Sequence, residues 1–419
     1  MQIEIVTIGY EVLSGRTLDT NFSWLARALE EASVQVAWHT SVGDDPKAIG
    51  EVLRRALDRA DAVVMTGGLG PTPDDLTRKA VATALRRPLQ LDEAVLESIR
   101  ERARRASRKL PASVETQALL PRGAQAWPNP VGSAPGLLIV HGDKPVILLP
   151  GVPHEMEALA EQFVVPYLRE RTGRSVASFT LRTAGVYESM LHEAIGKMPS
   201  RWPATSLAYL PSYLGVDLRV TTAAADADAV RSVSNRARQE LLEKVAPVVY
   251  GEGIDTMEAI VGKLLLEQKL HLATAESCTG GLLAKRITDV PGASRYFDRG
   301  FITYSNDAKV QVLGVRPQDL EAHGAVSAPV AEQLARGARK VTSAEVGVGV
   351  TGIAGPEGGT PTKPVGTVFI AVSSPRGEAV RTYRFMGNRV AVRERATQTA
   401  LDLVRRQLLG VALDPRLPG

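Results

Sequence analysis

The segment DAVVMTGGLGPTPDDLTRKAVATAL passes from an apolar run through a glycine loop into a helical stretch, and KPVILLPGVPHEMEALAEQF repeats the scheme. A strand that feeds a helix in this way has to pack the helix back against its own sheet. Repeated, the alternation predicts a mostly parallel sheet with helices on both faces. The chain opens in the same manner: IEIVTI reads as a strand, and NFSWLARALEEA sets Phe22, Leu25, Ala26 and Leu29 on one helical face. In such sheets ligands gather at the carboxyl ends of the strands, where both loops lie.

After residue 168 the pattern changes. SFTLRTAGV and GVDLRVTTAA read as strands of a small α+β module over 169–250, with helices at YESMLHEAIGKM and DAVRSVSNRARQELLEKV, and YGEGIDT reads as a linker. A third unit over 255–413 opens with Met257, Ile260, Val261, Leu264 and Leu265 on one helical face. It continues with strands at RGFITYS, EVGVGVT and VGTVFIAV, closes on the helix AVRERATQTALDLVRRQLL, and leaves DPRLPG as a loose tail. Three domains, 1–168, 169–250 and 255–413, suit a chain of 419 residues. The balance of 44% hydrophobic and 23% charged residues is that of a soluble globular protein. Fifty Lys and Arg against 46 Asp and Glu leave only +4, too little to require nucleic acid. A single cysteine excludes an internal disulfide and fits a reducing compartment. The start is acidic by its fourth residue and strand-like, unlike a signal peptide, and no run of about 18 apolar residues is present. Cytoplasm is the expected setting, with no membrane partner.

The loop TGGLGPTPDDLT brings Gly67, Gly68 and Gly70 to the end of a strand, with a helix expected to open near Thr72. Glycines allow close backbone approach to a ligand, and free N–H groups at a helix start attract anions. No Gly-Lys-Ser/Thr follows, so this is not a P-loop. Asp74 and Asp75 would repel a pyrophosphate unless a divalent cation lay between. The competing reading pairs Thr72 with Asp75 as a capping box. Glu11, Asp19, Asn21 and Glu155 stand at strand ends or in loops, where each taken singly reads as a cap or turn residue.

HLATAESCTGGLLAKRIT sets Ser277, Cys278 and Thr279 on a strand-to-helix turn. An acyl nucleophile needs a base to take its proton and donors for the developing oxyanion. Cys278 is intrinsically the best nucleophile, yet no histidine motif accompanies it, and a lone cysteine by a tight turn is ordinarily core filler. Ser277 can work with a lysine kept partly neutral by burial. FITYSNDAKV supplies Tyr304 and Lys309, although base rates make Lys309 a solvated surface residue. GVGVTG matches Gly-x-Gly-x-x-Gly but lies inside a strand with no helix after it, and six scattered histidines give no zinc spacing.

GYEVLSGRTLDTN, TGGLGPTPDDLT and PGVPHEM, in this order, resemble the amino-terminal domain of the CinA family, which is similar to the molybdopterin-binding fold. The resemblance implies a three-layer α/β/α domain that hydrolyses ADP-ribose-like pyrophosphates with a divalent metal ion (Mg, Mn or Co). Gly67, Gly68, Gly70, Thr72, Asn21 and Glu155 would contact substrate, and Asp74, Asp75 and Glu11 the metal. TAESCTGGLLAKRITDVPGAS, RGFITYSNDAKVQVLGV, HGAVSAPV, VTGIAGPEGGTPTKPVGTV and FMGNRVAVRERA resemble nicotinamide-nucleotide amidohydrolase, the other half of full-length CinA proteins. That likeness implies an α/β amidohydrolase domain without a cofactor, acting on nicotinamide mononucleotide through Ser277, Lys309 and Tyr304. Ser277 would attack, and Lys309 would take the proton with Tyr304 as relay. Amides around Thr279, Gly280 and Gly281, or Thr351, would hold the oxyanion or phosphate, and Arg389 would clamp a phosphate or carboxylate. The middle module resembles the family's small KH-like domain but has no Gly-x-x-Gly clamp, which makes it a spacer or dimer contact rather than an RNA reader. A homodimer is expected. The rival reading is a DNA-transaction accessory protein touching DNA through RERARRASRK (100–109), a run that otherwise reads as a solvated helix face. A third keeps the first domain as a pterin-binding module without hydrolysis.

Overall fold

The structure, a computed structural model, describes residues 1–32, 34–105, 112–414 and 417. Two compact units divide the chain: Met1–Ala177 with Ala223–Val230, and Ser178–Thr222 with Arg231–Gly419.

The first sheet region contains β1 (Gln2–Ile8), β2 (Gln35–Val42), β3 (Ala62–Thr66), β4 (Leu89–Leu91), β5 (Leu119–Pro121), β6 (Gln125–Trp127), β7 (Gly136–His141) and β8 (Lys144–Leu149). Six of them form one sheet in the order β2-β1-β3-β8-β7-β6, parallel from β2 to β8 and antiparallel at β7 and β6; β4 and β5 pair separately. Side chains of β1 divide between two cores. Ile3 and Ile5 pack with Leu25, Leu29, Met156 and Leu159, whereas Val6 and Ile8 pack with Ile49, Leu53 and Val81. Helices therefore cover both faces, as the alternating sequence requires. Asp19 opens the helix Thr20–Glu31 by accepting the Phe22 N–H at 2.8 Å. The helix after the glycine loop starts at Thr77, not near Thr72. Residues 72–75 are instead a turn that leads into it.

The middle sheet is β9 (Ser175–Thr183), β10 (Thr205–Pro211), β11 (Val216–Ala224) and β12 (Val249–Glu252), in the order β10-β11-β9-β12. β12 corrects the reading of YGEGIDT as a linker: its first residues pair antiparallel with β9, Val249 opposite Thr183 and Glu252 opposite Leu181. The strand β10 was not visible in the sequence pattern.

The last sheet is β13 (Leu272–Glu276), β14 (Phe297–Ile302), β15 (Val346–Gly352), β16 (Thr367–Ser374) and β17 (Gly377–Arg384). Its order is β14-β13-β15-β16-β17, with β14, β13 and β15 parallel and the last two antiparallel. Leu272, Val346, Val348 and Val350 pack with the helices Met257–Gln268 and Arg389–Leu409, while Ala273 and Ala275 meet Val330, Leu334 and Ala338 of the helix Ala328–Thr342. In register, Glu276 lies opposite both Ile302 and Val350. Ser277, Thr303 and Thr351 consequently follow one another across three adjacent strand ends. Among the described residues no helix is long and apolar enough to cross a membrane.

Candidate functional site

The turn after β13 is built by its last residue. The fully buried carboxylate of Glu276 accepts N–H bonds from Gly281 (3.0 Å) and Leu283 (3.0 Å) at Oε2 and from Ala284 (2.8 Å) at Oε1. It thereby satisfies amides at the start of the helix Leu282–Thr288 that the helix cannot satisfy itself. Gly281 has φ of 90°, and a Cβ there would lie 2.9 Å from Ile302 Cδ1. Glycine is required by the conformation, whereas the Ile302 methyl ends an exposed side chain that can move aside. The Ser277 N–H bonds Val350 O at 2.9 Å, and the Thr303 N–H bonds Glu276 O at 2.9 Å, so the turn is tied to both neighbouring strands.

Ser277 itself is partly exposed, and its hydroxyl makes no hydrogen bond among the described residues. Cys278 next to it is buried, and burial pushes its thiol up to about 12, so at neutral pH it is not a thiolate. Lys309 is the opposite of a surface residue: it is 1% exposed on the helix Asn306–Leu313. Its Nζ donates to the carbonyls of Thr303 (2.9 Å), Tyr304 (3.2 Å) and Ser305 (3.4 Å). Burial holds its pKa below the ordinary lysine range, with the nearby Cys278 acting in the other direction. No hydrogen bond joins Lys309 Nζ to Ser277 Oγ among the described residues; the amine faces the carbonyl row that begins one residue beyond the adjacent strand end.

The exposed Tyr304 is coupled elsewhere. Its hydroxyl accepts Arg389 Nη2 at 2.9 Å, while Arg389 Nη1 donates to Gly355 O at 2.9 Å. Thr351 is buried and its hydroxyl donates to Ala325 O at 2.8 Å. Gly280 N–H bonds Ser277 O at 3.1 Å and Gly281 N–H is held by Glu276. The expected oxyanion donors among Gly280, Gly281 and the Thr351 hydroxyl are therefore already engaged. The N–H groups of Cys278 and Thr279 have no acceptor among the described residues, and Thr279 Oγ1 is buried without a partner.

In the first domain, Asn21 Nδ2 donates to Thr66 Oγ1 (3.1 Å) and Gly151 O (2.8 Å), leaving its buried Oδ1 without a partner. Gly67 has φ of 112°, and a Cβ there would meet Ile8 O at 2.1 Å. The acidic residues do not converge. Asp75 Oδ2 accepts from Thr72 N (2.8 Å) and Oγ1 (2.6 Å), Asp74 is exposed, Glu11 lies over Gly9, and Glu155 accepts Asn129 Nδ2 at 2.7 Å. Among the described residues no three His, Cys, Asp or Glu groups gather where a metal ion could be held. Asp74, Asp75 and Glu11 thus do not fit a preformed metal site, and the Thr72–Asp75 pair is a local turn rather than a helix cap. The basic run lies partly outside the described residues, from 106 to 109. Within it, Arg100 pairs with Glu115, Arg104 with Glu97, and Arg102 donates to the carbonyls of Asn129 and Gly132. The tail residues 415, 416, 418 and 419 also lie outside.

Models of three families match along the chain: the probable molybdopterin binding domain at 4–170, the damage-inducible protein CinA KH domain at 178–251 and the CinA C-terminal domain at 254–408. A CinA-like protein of Gemmatimonas aurantiaca is 44% identical, covering 97% of this chain and 96% of its own. The chain belongs to the CinA family. Another CinA-like protein, from Chlorobaculum tepidum, is 43% identical over 96% of this chain and 97% of its own. A crystal structure of the protein CinA from Thermoplasma acidophilum, 38% identical, covers 39% of this chain and 95% of that one, with a TM-score of 0.37.

Two residues of this CinA chain were passed over in the sequence. Glu276 stood in plain view beside the serine, but nothing local says that its carboxylate folds forward onto the following helix. Arg393, one turn after Arg389, donates from Nε (3.1 Å) and Nη2 (2.7 Å) to Thr279 O; the i, i+4 spacing of the two arginines was the available signal. Glu276→Gln keeps one acceptor oxygen but sets an NH₂ group against a backbone N–H. It is expected to cost about 2–4 kcal/mol, read from denaturant midpoints. An unchanged midpoint would show that the turn holds without the carboxylate.

Proposed function

We propose that the carboxyl-terminal domain deamidates nicotinamide mononucleotide to nicotinic acid mononucleotide and ammonia. The observation that carries this reading is the contrast at the turn after β13: Ser277 offers an unengaged hydroxyl, whereas the thiol of Cys278 is buried and raised to about 12. Ser277 Oγ attacks the carboxamide carbon, and its proton passes to Lys309. The C–N bond then breaks, the proton leaves with ammonia, and water hydrolyses the resulting ester to restore the serine. A neutral lysine has two N–H donors and one lone pair, so Lys309 can keep two of its carbonyl partners while it accepts the proton. The free amides of Cys278 and Thr279 suit the oxyanion. Arg389 and Arg393, which have no carboxylate partner among the described residues, suit the substrate phosphate. The test is ammonia release from nicotinamide mononucleotide by the full chain, with Cys278→Ala expected to match the unaltered enzyme. No release at any pH from neutral to alkaline removes the reading, and loss of activity in the alanine variant moves the nucleophile to the thiol.

For the amino-terminal domain we propose binding of ADP-ribose-like pyrophosphates, supported by the positive φ of Gly67 and Gly68 and the unpartnered Asn21 Oδ1. Because the carboxylates form no cluster, a divalent ion would enter with the phosphates rather than ahead of them. Release of AMP from ADP-ribose with Mg, Mn or Co in turn tests hydrolysis. Binding without release favours a pterin- or nucleotide-binding module. Arg100, Arg102 and Arg104 of the basic run each have an acceptor among the described residues, so these three give DNA contact no support.

A further inference from the structure

The glycine loop of the first domain is anchored from one side along its whole length. Thr77 Oγ1 donates to Gly67 O at 2.8 Å and Thr77 N to Gly68 O at 3.2 Å. Arg78 Nη1 donates to Leu69 O, its Nη2 to Gly70 O at 3.2 Å, and Gln117 Nε2 also reaches Leu69 O at 3.3 Å. In a trans peptide the N–H points opposite to the C=O of the preceding residue. Holding the carbonyls of Gly67, Gly68 and Leu69 against the helix Thr77–Ala84 therefore turns the N–H groups of Gly68, Leu69 and Gly70 the other way. None of these three amides has an acceptor among the described residues, whereas Gly67 N–H, just before them, bonds Leu149 O at 3.0 Å. Three consecutive free amides form a nest suited to an anion.

The charge behind the nest is unusual. Arg78 is 6% exposed and forms no ion pair among the described residues. Asp75 supplies an opposing charge; its Oδ2 is engaged by Thr72, and its carboxylate lies against Gly70, where a Cβ would fall 2.4 Å from Oδ2. A buried guanidinium with only carbonyl partners is costly and leaves its loop electropositive. An anion on the opposite side of the loop offsets that cost. Asn21 Oδ1, buried and unpartnered, lies at the same strand ends: its amide holds Gly151 O, and a Cβ on Gly151 would come within 3.3 Å of Gly67 Cα. As an acceptor it suits a ligand hydroxyl, not a phosphate oxygen.

We propose that Arg78, assisted by Gln117, is the positioning residue of a phosphate nest made by the N–H groups of Gly68, Leu69 and Gly70, so that this loop selects a ligand carrying a diphosphate. The proposal rests on the pyrophosphate-binding reading of the first domain but requires no hydrolysis. It assigns Arg78 no contact with the ligand; the side chain acts through the loop carbonyls and through its charge.

The experiment is calorimetric titration of the full chain with inorganic pyrophosphate and with ADP, each with and without Mg, together with melting curves. Variants are Arg78→Met, Arg78→Lys and Gln117→Leu. Arg78→Met is expected to weaken both probes by at least about tenfold, the scale of a lost charge-assisted interaction. Arg78→Lys, which keeps the charge but not the fork over two carbonyls, is expected to recover part of that loss; a purely structural role predicts losses that track melting temperature instead. Should Arg78→Met fail to fold, Arg78→Lys and Gln117→Leu carry the test, each with intermediate weakening. Wild-type affinity in a folded Arg78→Met chain, or in both milder variants, overturns the proposal, as does failure of the unaltered chain to bind pyrophosphate. Tight binding without ADP-ribose hydrolysis sinks the hydrolytic reading alone and leaves the nest standing.

Discussion

Ser277→Ala is expected to cut ammonia release from nicotinamide mononucleotide by about a thousandfold or more while leaving the fold intact. The two halves of the expectation come from neighbouring residues. The hydroxyl makes no hydrogen bond among the described residues, so its removal strands no buried partner there and should change stability by no more than about 0.5 kcal/mol. As the nucleophile, by contrast, it cannot be replaced by its neighbour, because Cys278 is a buried, protonated thiol at neutral pH. Substrate should still bind, since Arg389 and Arg393 are untouched. The variant is compared with the unaltered chain by initial rate, by substrate titration and by melting. Retained activity with intact folding would reassign the attack to water or to the thiol.

Lys309→Met should lower the rate by about 10²–10⁴-fold, the range of a lost general base. Methionine roughly fills the same space, so the comparison isolates the amine. The pH profile separates a base from a structural ammonium. Burial holds the pKa of Lys309 below its ordinary value of 10.5, which favours the neutral amine. The rate in the unaltered chain should thus climb with pH as Lys309 loses its proton and level off below that value; in Lys309→Met the climb should vanish. Linkage to stability runs in the same direction. A folded pKa below the unfolded one gives a contribution present above the unfolded value and lost as pH falls through the folded one. A rate that falls with rising pH across this window would mean that the charged form acts, holding the carbonyls of Thr303, Tyr304 and Ser305 in place.

Much of the architecture was legible because its signals are local. The apolar run of β13 followed by Cys278-Thr279-Gly280-Gly281 says strand, then turn, then helix, and the structure has that order. Likewise β15 absorbs Gly347, Gly349 and Gly352 as strand residues, which is why the dinucleotide pattern there is empty. The start of YGEGIDT, Tyr250–Glu252, reads as a linker because so few residues carry no periodicity; only pairing with β9 makes them, with Val249, a strand. The helix start was misplaced for a related reason. Thr72 and Asp75 have the spacing of a cap, but they close a turn on each other, and the helix waits for Thr77 and Arg78, whose side chains reach back to the loop carbonyls.

Residue order alone settled which chemical groups stand at which strand ends, because backbone propensity and hydrophobic period act over a few neighbours. Whether those groups face one another was decided only by the packed sheets. Register sets Ser277 beside Thr303 and Thr351, burial raises the thiol and lowers the lysine pKa, and Glu276 turns forward to hold the amides that follow it. The acidic trio Glu11, Asp74 and Asp75 went the other way: standing in two motifs of one domain did not bring it together, since Asp75 is held by Thr72 and Glu11 and Asp74 face solvent. Hydrogen-bond direction and desolvation depend on what surrounds an atom in three dimensions, and no spacing along the chain encodes them.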